Sequence, residues 1–571
     1  MIKILYGESD LQKLRIGDYF YQDRTSFIET LEKWSSNYPV FLRPRRFGKS
    51  LFISVLHYYY GLEYKKGFKN IFGNLYIGQQ PTELANSYMV LSLEFSGIDT
   101  STHERTYKGF LLNVITGVRP FLGAYRQFFI DEDKRTILGQ QSPEGVLKTL
   151  FSIAQVNEIP HKIYLLIDEY DHFANELLSF DLQRFKDDVS KNGFVHKFYE
   201  SLKMATRQSI VERIFITGVS PIMLDSLTSG FNISDNISTN PLFHDMVGFT
   251  HQEVEVLLRG FGIEESKIPE MMDVLTEWYD GYQFAPEAKQ PLFNPDMMLY
   301  FLKEYSILNR YPEVMLDTNV VSDYQKIRNT FKIGGTEKSR YKVLEQLIQN
   351  GYIDFPLTRL YNLALNFSKN DFLSLLFYMG MLSFKEKTRI GWRFEIPNYV
   401  IKKLYFDYFT AIQLAQSRFE GDTTAIEEAI NTLLDDGNPE PFFKIGEEVL
   451  LQHHSNRDDM VYAEKHLQTL LIGLLCPYQA YFIHSEYESG RSYPDIFLER
   501  IHDVPMEFEV VMELKYVKKA DEKNLAQIVK DAEIQLDGYM TSKRFARPDV
   551  RGFYGVFFCG ALYKWAEWGK Y

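Results

Sequence analysis

Cysteine is almost missing from this sequence: Cys476 and Cys559 are the two present among 571 residues. Each lies in an apolar run, which argues against a disulfide scaffold and against a metal site built from cysteines, so we expect a reducing, cytoplasmic environment. Long apolar runs are missing too. The most apolar stretch, 467–483, is interrupted by Gln468 and Pro477, and the first residues lack a signal-peptide core, so no membrane contact is expected.

Fixed-period repeats, low-complexity tracts and long Gly/Ser linkers are also lacking, so domain boundaries must be read from changes of pattern. The composition, 45% hydrophobic, 15% aromatic and 24% charged, is that of an ordinary globular protein. The 63 basic and 76 acidic residues give a net charge of −13. Contact with nucleic acid would therefore need a local basic surface. A chain this long is expected to form several cores.

The first motif that carries chemistry is a loop between a short strand pattern and an apolar helical pattern. Residues 40–42 predict the strand, and RPRRFGKS at 43–50 forms the loop. This order directs backbone N–H groups and the positive end of a helix dipole onto an anion. Lys49 is expected to reach the β- and γ-phosphates, and the Ser50 hydroxyl to bind Mg²⁺. The sequence departs from the general motif at Arg43, where the first glycine would stand.

Polar residues end two further strand patterns. IYLLIDE at 163–169 predicts a buried strand that presents Asp168 for Mg²⁺ and Glu169 to orient the attacking water. Two acids after a strand are also found at helix N-caps, and Asp171 in DEYDHF is expected to be one. RIFITG at 213–218 places Thr217 at a strand end, where it would sense the γ-phosphate or bond to local backbone. With a fourth strand pattern over 88–98, these pieces predict a parallel sheet with crossover helices.

Several segments together resemble the divergent AAA-ATPase-like family that occurs beside PD-(D/E)XK nuclease domains. They are YQDRTSFI at 21–28, RPRRFGKS at 43–50, LLIDEYD at 165–171, ITGVSPI at 216–222, SGFNISDNIS at 229–238 and WYDGYQF at 278–284. In that family arginine is usual at the first loop position, so Arg43 is a family trait. The resemblance implies ATP and Mg²⁺ as cofactors.

The predicted nucleotide site combines the motif and the resemblance. Glu169 is its predicted catalytic residue, and Ser50 and Asp168 are its predicted magnesium ligands. The predicted nucleotide-binding residues are Arg46, Phe47, Gly48, Lys49, Ser50, Leu51, Asp168 and Thr217. No position is assigned as an arginine finger.

Residues 245–445 have helical periodicity and many aromatic side chains, which are interpreted as core. Near 372–401 a helical pattern is followed by a pair of strand patterns, which predicts a lid and a winged-helix-like element. A winged helix often binds DNA, but one attached to an ATPase often packs on its own protein. Both interpretations remain open.

From about residue 450 the pattern becomes αβββαβ, starting with a helix over 458–475. Asp495 begins one strand and Glu513-Leu514-Lys515 closes the next. Alternation places Glu513 and Lys515 on one face. Asp495, Glu513 and the Leu514 carbonyl are hard oxygen ligands for Mg²⁺ or Mn²⁺. Lys515 is suited to orient water or help to deprotonate it, and to stabilise the developing phosphorane. Glu464, on the preceding helix, would complete the site or hold a second ion. A surface salt-bridge ladder is the alternative.

This region resembles a PD-(D/E)XK domain, in which the stretch that here reads ESGRSYPDIFLER, residues 488–500, precedes the E-x-K strand. Gln535 and Tyr539 match a helix pattern that such nucleases place near the scissile phosphate, although Gln535 is equally typical of a solvated helix face. Basic residues crowd this end and predict either a nucleic-acid surface or a solvated face. They are Lys518, Lys519, Lys523, Lys530, Lys543, Arg544, Arg547 and Arg551.

The predicted fold is α/β and multidomain. An AAA-like P-loop NTPase domain with a parallel sheet occupies 1–244, a helical lid and winged-helix-like region 245–445, and a PD-(D/E)XK nuclease-like domain 446–571. The expected function is an ATP-binding and ATP-hydrolysing protein that controls a magnesium-dependent nuclease, with nucleic acid, DNA in particular, as partner. The rival is a nucleotide-gated signalling protein whose nuclease-like domain binds without cleaving. Homo-oligomerisation is left open.

Overall fold

The chain divides into two compact units. The first comprises Met1–Ile307, Leu316–Arg340 and Ile353–Asn398, and the second Leu308–Met315, Tyr341–Tyr352 and Tyr399–Tyr571. The computed structural model describes residues 2–180, 182–189, 193–227, 231–312, 314–317, 337–361, 367–415, 419, 422–454, 464–476, 481–485, 494–500 and 506–570. Parts of the sequence predictions, at 229–230, 458–463 and 488–493, lie outside these residues.

A parallel sheet forms the core of the first unit. Its strands are β1 Pro39–Leu42, β2 Met89–Glu94, β3 Ile163–Asp168, β4 Val211–Gly218 and β5 Asp235–Asn236, in the order β2-β3-β4-β1-β5. Every residue of β1 and β3 is buried, as expected for near-continuous apolar runs in a sheet covered on both faces. The predicted parallel sheet is confirmed.

Crossover helices connect these strands, and α3, α6 and α11 pack against them. Short 3₁₀ turns occupy Leu62–Gly67, Arg126–Phe128 and Pro241–Phe243. The helices up to β5 are α1 Leu11–Ile16, α2 Ser26–Lys33, α3 Lys49–Tyr60, α4 Phe68–Phe72, α5 Tyr76–Gln79, α6 His103–Ala124, α7 Asp131–Leu138, α8 Pro143–Val156, α9 His172–Phe180, α10 Leu182–Val189, α11 Phe194–Arg207 and α12 Ile222–Leu227.

The strand order decides which motifs become neighbours. Strand β4 lies between β1 and β3, with Thr217 opposite Phe41 of β1 and Ile216 opposite Ile167 of β3. All these strands run parallel, so their carboxyl ends meet at one edge of the sheet. The loop after β1, the acids after β3 and Thr217 are therefore brought to the same edge.

Helices and a small sheet follow in the middle of the chain. The elements are α13 His251–Gly260, α14 Ile268–Tyr279, α15 Pro295–Leu308, α16 Glu337–Asn350, β6 Tyr352–Phe355, α17 Lys369–Tyr378, β7 Ser383–Lys387 and β8 Trp392–Glu395. Strand β8 lies between β6 and β7 and is antiparallel to β7. Helix α17 followed by this hairpin is the helix-then-strand-pair order expected from the sequence. Capping boxes at Thr250 and Ser368 fix the starts of α13 and α17.

The second unit contains a mixed sheet in the order β13-β12-β11-β10-β9, in which β11 and β12 are parallel. The elements are α18 Tyr399–Leu414, α19 Thr424–Asp436, α20 Glu440–His454, α21 Glu464–Leu475, β9 Tyr481–Ser485, β10 Ile496–Arg500, β11 Glu509–Val517, the 3₁₀ turn Lys519–Asn524, α22 Leu525–Met540, β12 Val550–Phe558 and β13 Ala561–Glu567. The predicted αβββαβ order is present, and β13 extends it by an antiparallel strand that the sequence analysis missed.

One face of this mixed sheet packs against α22. Val511 and Val517 of β11 share a buried cluster with Leu536 of α22 and Tyr554 of β12. Because side chains alternate along a strand, Glu513 and Lys515 lie on the same face of β11 as these valines. Within the described part of the chain, no helix is long and apolar enough to cross a membrane.

Candidate nucleotide and nuclease sites

The loop after β1 has the backbone of a phosphate cradle. Gly48 adopts a left-handed conformation, φ 93°, and is the N-cap of α3. A glycine accepts this φ without strain and has no side chain to cap the first turn, so the first N–H groups of α3 stay available to an anion. Arg46 is also left-handed, φ 65°, which is uncommon for a residue with a Cβ and marks a locally constrained loop.

A cavity of about 340 Å³ opens beside this loop. The predicted residues Arg46, Phe47, Gly48, Lys49, Ser50 and Leu51 line it, together with Glu169. Buried Lys49 donates from Nζ to the Pro44 carbonyl at 3.0 Å, so its ammonium already lies against the loop. The remaining wall is largely apolar and includes Ile4, Leu5, Phe20, Tyr21, Met246, Val247, Phe249 and Leu299. Such a wall suits the base of a nucleotide.

Asp168 and Glu169 follow β3 with different surroundings. Asp168 Oδ1 accepts the Glu169 N–H at 2.9 Å, and its carboxylate also bonds the Ser50 hydroxyl. Burial and the neighbouring Glu169 raise the pKa of Asp168 to about 6, although the Ser50 bond opposes this rise. The two predicted magnesium ligands of this site are thus in contact. Glu169, φ 50°, reaches the cavity with a buried Oε2 that has no hydrogen-bond partner in the structure.

Thr217 lies at the end of β4, between the two motifs. Its side chain is fully buried, and Oγ1 has no hydrogen-bond partner in the structure. A buried hydroxyl without a partner is uncommon and calls for an explanation. The alternative of a bond to local backbone is not observed. Thr217 does not itself line the cavity, and contact with the γ-phosphate stays a prediction.

Arg43, which stands where the first glycine would be, points away from the cavity into the core. Its guanidinium donates to the carbonyls of Leu42, Ser238, Phe243 and His244 at 2.7–3.1 Å. It also stacks over the rings of Phe41 and Phe284, 4.3 and 4.4 Å from their centroids. Burial lowers the pKa of Arg43 to about 9. Its role is structural, and the sequence offered no signal for its distant carbonyl partners at Ser238, Phe243 and His244.

The Asp171 side chain connects the turn after β3 to the turn after β4 through hydrogen bonds. Its carboxylate accepts the backbone N–H groups of Val219 and Ser220 at 3.0 and 2.6 Å, and the Asn175 amide at 2.6 Å. Asp171 stands directly before α9, as expected for an N-cap, and its carbonyl accepts the Asn175 N–H. Its side chain, however, forms a bridge from the turn after β3 to the turn after β4. The bridge joins the turn that carries Glu169 to the turn that follows Thr217.

The second candidate site forms where β10 and β11 separate. Their pairing ends at Ile496 opposite Met512. One residue earlier along β10, Asp495 Oδ2 accepts the Leu514 N–H at 2.7 Å. In a strand the N–H and C=O of one residue point to the same side. The Leu514 carbonyl therefore faces the side of Asp495, as its predicted role as a cation ligand requires. Gln468 donates to the Asp495 carbonyl at 2.5 Å and steadies this turn.

Glu513 and Lys515 lie side by side on β11, as predicted from alternation. Lys515 Nζ lies 2.6 Å from Glu513 Oε1 and 3.3 Å from Glu464 Oε1 of α21. The hydroxyl of Tyr539 on α22 also bonds the Glu513 carboxylate. Glu513 is buried, and its Oε2 has no hydrogen-bond partner in the structure. The structure thus brings Asp495, Glu513, Lys515 and Glu464 together.

Crowding of acids governs the protonation of this cluster. Burial, reinforced by Glu513, raises the pKa of Asp495 well above its ordinary value, and burial also raises the pKa of Glu513. Burial works to lower the pKa of Lys515, but Glu513 and Glu464 together hold it above its ordinary value. The pKa values of these carboxyl groups are raised because their negative charges are buried and close together. A divalent cation would neutralise such charges, so the site is suited to bind one.

The donor set fits a magnesium-type ion. Two carboxylates, one of them with an oxygen that lacks a partner, and the Leu514 carbonyl are hard oxygen ligands. Over the residues that the structure describes, no group of three or more His, Cys, Asp or Glu side chains is arranged to hold a metal. An ion here would therefore complete its shell with the carbonyl and water, which is usual for Mg²⁺.

The predicted basic surface is only partly basic. Arg544 pairs with Glu499 and Glu509, Arg547 with Glu509, and Arg551 with Glu567. These three arginines neutralise acids of their own unit. Gln535 is exposed one turn before Tyr539. The lysines remain exposed: Lys518, Lys519, Lys523, Lys530 and Lys543.

One residue of the first site escaped the sequence analysis. Asp296, in the first turn of α15, lines the cavity and binds Arg46 Nη1 at 2.9 Å. Asn294 accepts the Asp296 N–H at 3.0 Å and so helps to fix this helix start. The Asn-Pro-Asp sequence was a readable helix-start signal, but nothing in it indicated the distant loop as its neighbour.

A parallel sheet with a phosphate loop at its carboxyl edge, on one chain with a mixed sheet that carries Asp, Glu and Lys, defines a P-loop ATPase-like protein with a nuclease-type domain. Residues 5–228 match the family model described as Predicted AAA-ATPase, and residues 462–568 match that of the PD-(D/E)XK nuclease superfamily. The chain therefore carries an AAA-ATPase-like domain and a PD-(D/E)XK nuclease-superfamily domain, as the motifs predicted.

Among known proteins, the chain is 26% identical over 307 residues to the "Uncharacterized protein in vnfD 5'region" of Azotobacter chroococcum mcd 1. The match covers 53% of this chain and 52% of that protein, so it spans about half the length of either. The Walker-type ATPase PABY2304 of Pyrococcus abyssi is similar at 12% identity and a TM-score of 0.38, over 67% of this chain and 94% of that one.

Proposed function

We propose that the first domain binds and hydrolyses ATP with Mg²⁺, and that its nucleotide state controls magnesium-dependent cleavage of nucleic acid, DNA in particular, by the second domain. The observation that carries the proposal is the cluster of Asp495, Glu513 and Lys515, with Glu513 Oε2 buried and without a partner. A purely structural ion pair gives no reason to bury a second carboxylate beside the first.

At the first site each side chain has a separate task. The N–H groups at the start of α3 and the Lys49 ammonium bind the phosphates. Ser50 and Asp168 are placed to hold Mg²⁺, which when bound neutralises charge on the transferred phosphoryl group. Glu169 is placed to orient the attacking water. Its Oε2 atom is buried and has no hydrogen-bond partner in the structure.

At the second site a bound Mg²⁺ or Mn²⁺ would supply Lewis acidity and a more acidic water. Asp495, Glu513 and the Leu514 carbonyl would hold the ion. Lys515 keeps its proton beside Glu513 and so supplies positive charge for a phosphate as its charge develops. Tyr539 holds the Glu513 carboxylate in place.

The test incubates the full chain with supercoiled plasmid, linear duplex, single-stranded DNA and RNA, each with Mg²⁺ or Mn²⁺ and with or without ATP. Glu513→Gln should abolish cleavage, because it removes a ligand charge and keeps the side-chain shape. Asp531→Asn, an exposed change on α22, is the matched control and should cleave like the wild type. Cleavage that survives Glu513→Gln or excess EDTA contradicts the nuclease proposal.

A second candidate is a nucleotide-gated protein whose second domain binds nucleic acid or protein without cutting it. The contacts of Lys515 with both Glu513 and Glu464 favour it, since a salt-bridge ladder makes the same contacts. Retained binding with no cleavage under any metal condition supports this candidate.

The two cysteines are free, and we place the protein in the cytoplasm on that ground.

A further inference from the structure

The ion pair between Arg46 and Asp296 closes one wall of the nucleotide cavity. Arg46 belongs to the phosphate loop, and Asp296 to the first turn of α15. Their side chains are 29% and 13% exposed, and Arg46 Nη1 lies 2.9 Å from Asp296 Oδ2. Both residues line the cavity beside Lys49 and Ser50. The contact therefore lies where a polyanion is expected to bind.

Asp296 also holds the N-terminal segment. The same Oδ2 atom accepts the Tyr6 hydroxyl at 2.9 Å, and that hydroxyl lies 2.5 Å from Asp317 Oδ2. The Tyr6 ring contacts Tyr300 of α15 at 6.4 Å, and Lys303 Nζ lies 5.5 Å from its centroid. The base-side wall of the cavity includes Ile4 and Leu5, next to Tyr6. One carboxylate thus joins the phosphate loop, α15 and the segment that forms the base wall.

The Asp296 carboxylate holds the Arg46 guanidinium at the place where a triphosphate is expected to bind. Burial raises the pKa of Asp296 and Arg46 opposes this rise, so an Asp296 carboxyl that loses Arg46 to a phosphate takes up a proton more readily. A phosphate group carries more negative charge than the Asp296 carboxylate and can accept two hydrogen bonds from the Arg46 guanidinium at once. The Asp296 carboxylate, by contrast, already bonds the Tyr6 hydroxyl. Phosphate and Asp296 therefore compete for one arginine. A longer phosphate chain brings more charge into this competition.

We propose that Arg46 contacts the terminal phosphate of a bound nucleoside triphosphate, and that it exchanges Asp296 for that phosphate on binding. The inference rests on the proposed nucleotide-binding function and adds a residue that distinguishes triphosphate from diphosphate. The exchange leaves Asp296 to Tyr6, so the contact between the phosphate loop and α15 is released in the triphosphate state. The phosphate loop itself thereby supplies an arginine to the terminal phosphate. No arginine finger was assigned from the sequence.

Binding of Mg·ATP and Mg·ADP to the full chain is measured by calorimetry for wild type, Arg46→Ala, Arg46→Lys and Asp296→Asn. Arg46→Ala should weaken ATP binding by roughly 10- to 100-fold, the range for loss of charge-assisted hydrogen bonds, and ADP binding by less than about threefold. Arg46→Lys should recover part of the ATP loss, because a lysine keeps the charge without the fork. Asp296→Asn should strengthen ATP binding, because it removes the competitor.

A double-mutant cycle between Arg46 and Asp296 tests the exchange directly. If the ion pair were only structural, its coupling energy would not change when nucleotide binds. The coupling between positions 46 and 296, measured from unfolding midpoints, should be present without nucleotide and disappear with saturating Mg·ATP. The Arg105 and Asp99 pair, 3.0 Å apart and exposed, is the control and should show the same coupling in both conditions.

The possible outcomes distinguish failure of the Arg46 exchange from failure of the proposed nucleotide binding. Equal losses of ATP and ADP affinity in Arg46→Ala, or a 46–296 coupling that persists with Mg·ATP, overturn the inference while leaving nucleotide binding intact. A wild type that binds neither nucleotide overturns both.

Discussion

Asp168→Asn should stabilise the nucleotide-free protein while it removes ATP turnover. Asp168 is 8% exposed, and its pKa is raised to about 6 from the ordinary 3.8. That difference corresponds to about 3 kcal/mol, which the folded protein loses when it keeps this carboxylate ionised. Asparagine keeps an oxygen for the Glu169 N–H and presents an amide to the Ser50 hydroxyl. The expected gain is therefore close to the full electrostatic cost.

The sign of the pH dependence follows from the raised pKa. Below about pH 3.8 the carboxyl is protonated in both the folded and unfolded states, and the substitution changes little. As pH rises from 3.8 to 6, the unfolded state ionises first and the wild type loses stability, whereas the asparagine variant does not. The variant's advantage should be roughly 0.5 kcal/mol at pH 4, roughly 1.5 kcal/mol at pH 5 and about 3 kcal/mol at pH 8.

Urea denaturation in EDTA without nucleotide, from pH 4 to pH 8, measures this difference between variant and wild type. Asp273→Asn, an exposed acid on α14, is the control and should give a small difference at every pH. Mg·ATP at about a hundred times its Kd should then stabilise the wild type by about 2.7 kcal/mol, and the variant less. A difference that is flat with pH, or larger at pH 4 than at pH 8, would refute the electrostatic reasoning.

The remaining predictions concern both sites and their coupling. Lys49→Ala should abolish ATP binding measured by calorimetry, whereas Glu169→Gln should keep it and stop phosphate release; equal affinity in wild type and Lys49→Ala would contradict the phosphate site. Asp495→Ala, Glu513→Ala and Lys515→Ala should each remove plasmid cleavage without unfolding the protein; for the two acids, loss of a crowded carboxylate relieves repulsion, whereas Lys515→Ala removes the cation beside Glu513 and Glu464 and should lower stability; circular dichroism checks the fold. DNA affinity should differ about 5- to 150-fold between nucleotide states, the usual allosteric range, and identical affinities with no nucleotide, ADP and an ATP analogue would show independent domains.

Local pattern was enough to predict strands β1 to β4 and the polar residues that end β3 and β4. Residues 163–167 before Asp168 and residues 214–216 before Thr217 are apolar or aromatic, which is the pattern of buried parallel strands. The E-x-K alternation likewise placed Glu513 and Lys515 on one face, because a strand has a fixed period of two. These features depend on neighbouring residues alone, which is why the sequence reveals them.

Features that depend on distant partners were not predictable. The contact of Arg46 with Asp296 and the capture of Arg544 by Glu499 join residues whose separation in sequence carries no pattern. Charge alone made Arg544 look like part of a nucleic-acid surface, whereas the fold places an acid beside it. Strand β13 was missed because all its residues are partly exposed or exposed, so it lacks the clear apolar alternation of a core strand.

The arginine at position 43 ties the evolution of the phosphate loop to residues far along the chain. Loss of its guanidinium would strip several buried carbonyls of their donor at once and leave a void between the rings of Phe41 and Phe284. A single codon change to the common glycine-first loop would therefore damage the core rather than restore a consensus. Anyone who engineers that loop must redesign the surroundings of Phe284 in the same step.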